Sequence, residues 1–321
     1  MKRVVLIALA LALALIALPA RAEEKTRLSV ATGGTGGVYY PLGGAIANVL
    51  SKHLPGVVAT AEVTSASIDN LKLIGAGKAD IAFTMADSAW EGFNGTGKFK
   101  GKLPLRALVV LYDNKTQVVT VQGRKIERMS DLKGKRISTG APGSGTELIA
   151  LRLLEAYGID PEKDVKREKL SVAESVGAIK DNKIDAFIWS GGLPTAAIID
   201  LGATPGQKLM LLDHSDATPA MVKKYGPLYV EDTIPAKTYP GQEKDVSILS
   251  VWNILAVNEK MDEKLAYAIT KTIFEKKPEL VAVHKEAQYI ALENQLKGGS
   301  PIPFHPGAFM YFAEKGVKRP R

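Results

Sequence analysis

One structural plan is written into this chain twice, and the repeat constrains the fold more than any other feature. The first pass reads strand "RLSVA", glycine loop "GGTGG" (33–37), helix "YYPLGGAIANVLSKHL", strand "VVATAEV", a short helix within "TSASIDNLKLIGAG", and a strand opened by "ADIAF". The second begins at "KRISTG" and turns through "APGSGTE". It continues as helix "LIALRLLEAYGI", strand "VKREKL", helix "SVAESVGAIKDN" and strand "IDAFIWS". In the first helix Val38, Leu42, Ile46, Val49 and Leu50 follow helical spacing. Ser144 and Glu147 form an S-x-x-E start signal, and Gly158 supplies a stop. The stretches "GKADIAF" and "NKIDAFI" match in form and in place. Strands alternating with helices imply parallel sheets with right-handed crossovers. The expected fold class is therefore α/β, in two similar lobes with one sheet each. At least two extended crossings should join them, and the C-terminal helices should return to the first lobe. One continuous sheet would refute this arrangement of two separate sheets.

The remaining segments place the crossings. "LRALVVLYDNKTQVVTVQ" reads as two apolar strands around a polar turn, and "VSILSVWNILAVN" as one long buried strand. Between them lies a turn-rich excursion from Asp213 to Asp245, broken by Pro219, Pro227, Pro235 and Pro240. The crossings are expected near Asn114–Val121 and Ser247–Val257. That gives a first lobe of residues 23–113 and 250–321, and a second of 114–249.

The first 22 residues belong to export rather than to the fold. Lys2 and Arg3 precede "VVLIALALALALIALPA", and Ala20-Arg21-Ala22 offers a small-x-small cleavage site. This is the pattern of a cleaved secretory signal peptide and implies a periplasmic location. The chain has no cysteine, which excludes a lipid-anchored lipoprotein, disulfides and thiolate chemistry. The net charge of +8 is carried by scattered lysines and arginines with no basic–aromatic tract, so no nucleic-acid partner is expected. A monomer is expected, with no cofactor and no metal.

The glycine loops sit where strands become helices. There, free N–H groups and the positive end of the helix dipole favour anions. "GGTGG" and "PGSGT" thus read as two anion cradles, one per lobe, facing each other across a cleft. The plainer reading is tight strand–helix packing. Neither loop matches a nucleotide motif. Counting from Gly34 and Gly36, the third fingerprint glycine would fall on Tyr39, and no Gly-Lys pair is followed by Ser or Thr. His53, His214, His284 and His305 lack metal-ligand spacing. Asp80 and Asp185 occupy equivalent places and read either as a catalytic pair or, preferably, as caps of buried strands. Of Trp90, Trp189 and Trp252, only Trp189 in "IWSGGLP" lies at a predicted strand end that favours a pocket.

In the stretches "TGGTGGVYYPLGGAIANVL", "TSASIDNLKLI", "ADIAFTMAD", "DLKGKRISTGAPGSGTELIALRLLEAYGI", "IDAFIWSGGLP" and "TIPAKTYPGQ", the chain resembles the TAXI family of extracytoplasmic solute receptors for TRAP transporters. The resemblance covers essentially all of the chain after residue 22. It implies a two-lobed, type II periplasmic-binding-protein-like fold that closes on a small organic acid such as glutamate, 2-oxoglutarate or a related mono- or dicarboxylate. It implies TRAP membrane subunits as partner. Carried over by residue, the implied site comprises Gly34, Thr35, Gly36, Gly37 and Tyr39; Ser65, Ser67 and Asn70; Ser144, Gly145 and Thr146; and Trp189, Gly191 and Pro194. Many relatives have a glutamine after the "IAF" strand where this chain has Met85 and Ala86, which leaves Asp87 as the polar candidate there. No arginine lies within the four stretches that hold these site residues, 34–39, 65–70, 144–146 and 189–194, so backbone N–H groups and hydroxyls are expected to hold the carboxylate. Two other functions remain open: a transferase-like enzyme on the same scaffold, for which Asp80 and Asp185 are the available acids, and a periplasmic ligand sensor.

Overall fold

The computed structural model describes residues 25–295 and 299–317; the signal peptide read at 1–22 lies outside them. The first pass folds as β1 (Thr26–Ala31), α1 (Tyr39–His53), β2 (Val57–Glu62), α2 (Ser67–Gly75), β3 (Ile81–Met85) and α3 (Ala86–Asn94). A long strand follows, β4 (Leu105–Val121). The second pass is β5 (Arg136–Ser138), α4 (Gly145–Ala156), β6 (Lys166–Glu168), α5 (Val172–Lys180), β7 (Ala186–Gly191) and α6 (Ala196–Gly202). The remainder comprises β8 (Leu209–Leu211), α7 (Thr218–Tyr225), β9 (Val230–Ile234), β10 (Val246–Asn258), α8 (Glu263–Glu275), α9 (Lys277–Val283) and α10 (Pro306–Glu314).

The repeat is visible in the pairing. β1 runs parallel between β2 and β3, and β5 runs parallel between β6 and β7. β10 then adds antiparallel to β3 through Asn253–Ala256, and β4 adds antiparallel to β7 through Lys115–Thr120. The matched aspartates explain why "AD-IAF" and "ID-AFI" look alike. The Asp80 carboxylate accepts from Ser29 N at 2.8 Å, and that of Asp185 from Arg136 N at 2.9 Å. Each ties the start of one parallel strand to its neighbour, so both are strand clamps.

Two expectations are corrected. "YDNKT" is no turn: β4 is a single strand of 17 residues. Strand alternation puts Asp113 and Lys115 on one face and Asn114 on the other. Lys115 forms ion pairs with Asp113 and with Asp232 of β9, while Asn114 Oδ1 accepts from Asn253 Nδ2 at 2.7 Å. These partners satisfy the polar triplet inside an extended segment. The sheets are also not separate. β4 and β10 pair with each other and serve both halves, so all ten strands form one hydrogen-bonded ladder. The α/β architecture stands as two β-α-β-α-β units, each with its own core, bridged by two strands common to both. The expected boundaries at 113/114 and 249/250 fall inside these two strands.

One core packs Val30, Ile46 and Phe83 against Ile269 of α8 and Phe312 of α10, so the C-terminal helices cover the first half. The second half is built around Ile137, Ile149, Leu153 and Ile188 on one side, and Val119, Val176, Phe187 and Ile198 on the other. The proline-broken excursion contains a helix and a strand, with Pro219 in the first turn of α7, where its missing N–H costs nothing. No helix among the described residues is long and apolar enough to cross a membrane.

Candidate functional site

The repeat brings the N-termini of four helices, α1, α2, α4 and α5, to one cleft of about 370 Å³ between the two halves. Gly34, Thr35, Gly36, Gly37, Tyr39, Ser65 and Ser67 line it from the first half. Ser144, Gly145, Thr146, Trp189 and Gly191 line it from the second.

Asn70, Asp87 and Pro194 do not line it. Asn70 is fully buried, and its Nδ2 donates to the carbonyls of Thr32 at 2.7 Å and Phe83 at 2.8 Å. It ties together the ends of β1 and β3. Asp87 is also fully buried and accepts from the Tyr229 hydroxyl at 2.9 Å, with Arg152 Nη1 3.5 Å away. Pro194 lies in the loop beyond β7, where Glu286 accepts from Leu193 N at 2.8 Å and Thr195 Oγ1 accepts from Trp189 Nε1 at 3.0 Å.

Sequence reasoning missed Tyr112, Asn114, Ser190 and the run Ser171–Glu174, all of which line the cleft. The signal for the last was available. Ser171 and Glu174 start α5, which occupies in the second unit the place that α2 holds in the first. Tyr112 and Asn114 were hidden by the assumed turn in β4.

The four helix starts differ electrically. α1 has no acidic residue in its first turn and no side-chain cap. Among the described residues no acceptor engages the N–H groups of Thr35, Gly36, Val38 or Tyr39. α4 is capped by Ser144, whose Oγ accepts from Glu147 N at 2.9 Å, and Glu147 Oε2 accepts from Gly143 N at 3.2 Å. α5 carries a reciprocal capping box between Ser171 and Glu174. α2 has Asp69 in its first turn, and Asp69 N donates to Gly143 O at 3.1 Å. The uncompensated positive end therefore belongs to α1, and the two loops expected to be equal cradles are not equal. Thr146 reaches the cleft wall, but its hydroxyl sits between Ser190 N at 3.3 Å and Ser190 O at 3.5 Å.

Of the residues lining the cleft, Glu174 alone carries a charged side chain. Arg106 pairs with Glu259 at 2.8 Å and Arg136 with Asp185 at 2.6 Å. Tyr112 is fully buried and its hydroxyl has no partner among the described residues. Burial holds this phenol well above its ordinary pKa, so it stays a neutral donor. The Tyr39 hydroxyl donates to Asn253 Oδ1 and accepts from Asn114 Nδ2 at 3.5 Å. Burial raises its pKa as well. This triangle pins α1 to both crossing strands.

The glycines also answer a second demand, because the two halves touch through them. Ala197 N donates to Gly36 O at 3.3 Å. A Cβ on Gly37 would lie 3.0 Å from the Trp189 ring, and one on Gly145 would lie 2.3 Å from Met85 Cε and 2.7 Å from Ser67 Oγ. Away from the cleft, Arg152 of α4 reaches Asp87 and Glu91 of α3, donates to the Tyr229 hydroxyl at 2.6 Å, and stacks 4.2 Å over the Tyr225 ring. Burial raises the pKa of both Asp87 and Glu91, against the pull of the guanidinium. The lobes are thus closed on one another around the cleft.

The sequence profile of the NMT1-like family matches residues 30–316. Among solved structures, the periplasmic aliphatic sulphonate binding protein SsuA from Escherichia coli overlays with a TM-score of 0.48 at 15% identity, covering 92% of this chain and 84% of that one. A putative L-cystine ABC transporter from Listeria monocytogenes overlays at 0.49 and 16% identity, covering 83% of this chain and 95% of that one. An ancestral arginine-binding protein bound to arginine overlays at 0.49 and 15%, covering 82% and 98%.

Proposed function

The chain belongs to the NMT1-like family, and from that premise we propose that it is a periplasmic solute-binding protein that closes its lobes on a small organic acid and hands it to the membrane subunits of a TRAP transporter. The observation that carries the proposal is the uncapped N-terminus of α1. Thr35, Gly36, Val38 and Tyr39, whose N–H groups have no acceptor among the described residues, line the same cleft as Tyr112, whose buried hydroxyl has no partner there. A carboxylate there would satisfy both. Ser67, Ser144 and Asn114 add neutral polar groups around it. The TAXI resemblance supplies the class, mono- and dicarboxylic acids related to glutamate and 2-oxoglutarate, and that resemblance is also what supports a TRAP partner. The region 1–22 supports export. Binding without turnover is favoured by the titratable side chains of the lining: two tyrosines held protonated and one glutamate bound up in a helix cap.

A thermal-shift screen of the chain lacking residues 1–22, against a panel of mono- and dicarboxylates, tests this. A ligand at a hundred times its Kd adds about 2.7 kcal/mol, or about 5 °C for a protein of this size. A panel without any shift at millimolar concentration would reject an organic-acid ligand. Conversion of a bound acid into product would replace the receptor with an enzyme.

A further inference from the structure

The charges around the cleft discriminate within the class of organic acids. The lining contains no lysine, arginine or histidine. One anionic group has an evident seat at the start of α1, where the dipole is uncompensated and several N–H groups have no acceptor. A second would have to lie toward the starts of α4 and α5. Both already hold a carboxylate of the protein: Glu147 accepts from Gly143 N, and Glu174 Oε2 accepts from Ser171 N at 2.8 Å. The Ser171 N–H holds the Glu174 carboxyl below its ordinary pKa, so it is ionised at neutral pH. The rest of that wall is uncharged: Ala141, Val172, Ala173 and the Trp189 ring are apolar, and the hydroxyls of Ser144, Thr146, Ser171 and Ser190 are neutral. The positive ends that would welcome an anion on this side are thus already answered from within, and Glu174 adds a negative charge to the lining itself.

We infer that the cleft takes acids with a single carboxylate, and that Glu174 is the specificity-determining residue that turns away a second one. The inference rests on the organic-acid reading above. A like charge at the partly solvated cleft edge is expected to weaken a diacid by about tenfold relative to its uncharged isostere.

Titration calorimetry on three matched pairs tests it: glutamine against glutamate, succinamate against succinate, and glutaramate against glutarate. Each pair preserves chain length and removes one charge. The expected result is tighter binding of the single-carboxylate member in every pair that binds, by about tenfold. Glu174→Gln, which keeps a capping residue at the third position of α5, should then strengthen the diacid about fivefold and change its partner less than twofold. Diacids that bind the parent protein more tightly than their partners would overturn this inference and leave the organic-acid reading standing. Equal changes in both members on Glu174→Gln would show a merely structural role and overturn it too. Failure of all six compounds to bind at millimolar concentration would remove the organic-acid reading, and the inference with it.

Discussion

Gly145→Ala separates closure of the lobes from the stability of either one. Gly145 is the first residue of α4 and does not need a left-handed backbone. Alanine is compatible with a first helical position, so the second lobe alone should tolerate it. The difficulty lies across the cleft, where the new Cβ would come within 2.3 Å of Met85 Cε and 2.7 Å of Ser67 Oγ. The methionine tip can swing away. Ser67 Oγ is held by Met85 N at 3.1 Å and cannot move freely. Overpacking of this kind costs about 1–3 kcal/mol. Only the closed state feels it, so ligand affinity should fall about 5- to 150-fold while the unliganded melt stays within about 1 °C. Gly43→Ala is the control. Its Cβ would lie 2.3 Å from Thr32 Cγ2, inside the first lobe. It should lower the unliganded melt by several degrees, about 2–4 °C per kcal/mol. Calorimetric titration paired with thermal melts reads both quantities. If Gly145→Ala behaved like Gly43→Ala, with a lowered unliganded melt and unchanged affinity, the loop would serve only local packing and not closure of the lobes.

Glu286 is pushed up to about 7, chiefly by burial, and Asp113 adds to the effect. A carboxyl with a raised folded pKa holds its proton more tightly folded than unfolded. Stability should therefore fall as pH rises from about 4.5 to about 7, by up to about 3 kcal/mol, and level off above. Glu286→Gln should remove this slope in urea titrations, stabilising the protein at pH 8 and leaving it nearly unchanged at pH 4.5; parallel curves at all pH values would disprove it. Arg152→Met strands Asp87 and Glu91 and should cost about 3–5 kcal/mol at pH 7, with a smaller loss at pH 5 where the carboxyls take up protons; a pH-independent loss would point to packing instead. Tyr39→Phe leaves Asn253 Oδ1 without its donor and should destabilise the protein by about 1–3 kcal/mol by chemical denaturation; an unchanged midpoint would show the Tyr39–Asn114–Asn253 triangle to be dispensable.

The repeat made most of the fold legible, because strand–loop–helix order and buried periodicity are local properties. Asp80 and Asp185 could be read as clamps from their equivalent positions alone. The polar triplet of β4 could not. Whether "DNK" turns or continues depends on Asp232 and Asn253, far along the chain, and a sequence window sees neither. The same error hid Tyr112 and Asn114, which alternate toward the cleft only because the strand runs straight through. Asn70 and Asp87 had the composition of ligand contacts, but their partners are backbone carbonyls and a buried arginine. Their chemistry was visible in the sequence and their destination was not. The glycines were legible as a site of close approach. That the approaching group is partly the opposite lobe emerges only once Trp189, Ala197 and Met85 are in place.

On the proposed function, backbone N–H groups at the start of α1, without a guanidinium, hold the carboxylate of the ligand. A crystal structure of the complex with the tightest acid from the screen tests this directly. The expected complex has a carboxylate oxygen about 2.7–3.2 Å from N–H groups within Thr35–Tyr39, the Tyr112 hydroxyl engaged, and no lysine or arginine in the first contact layer. A carboxylate forked by Arg106, Arg136 or Arg152, or one seated at the start of α4 with α1 left empty, would contradict it.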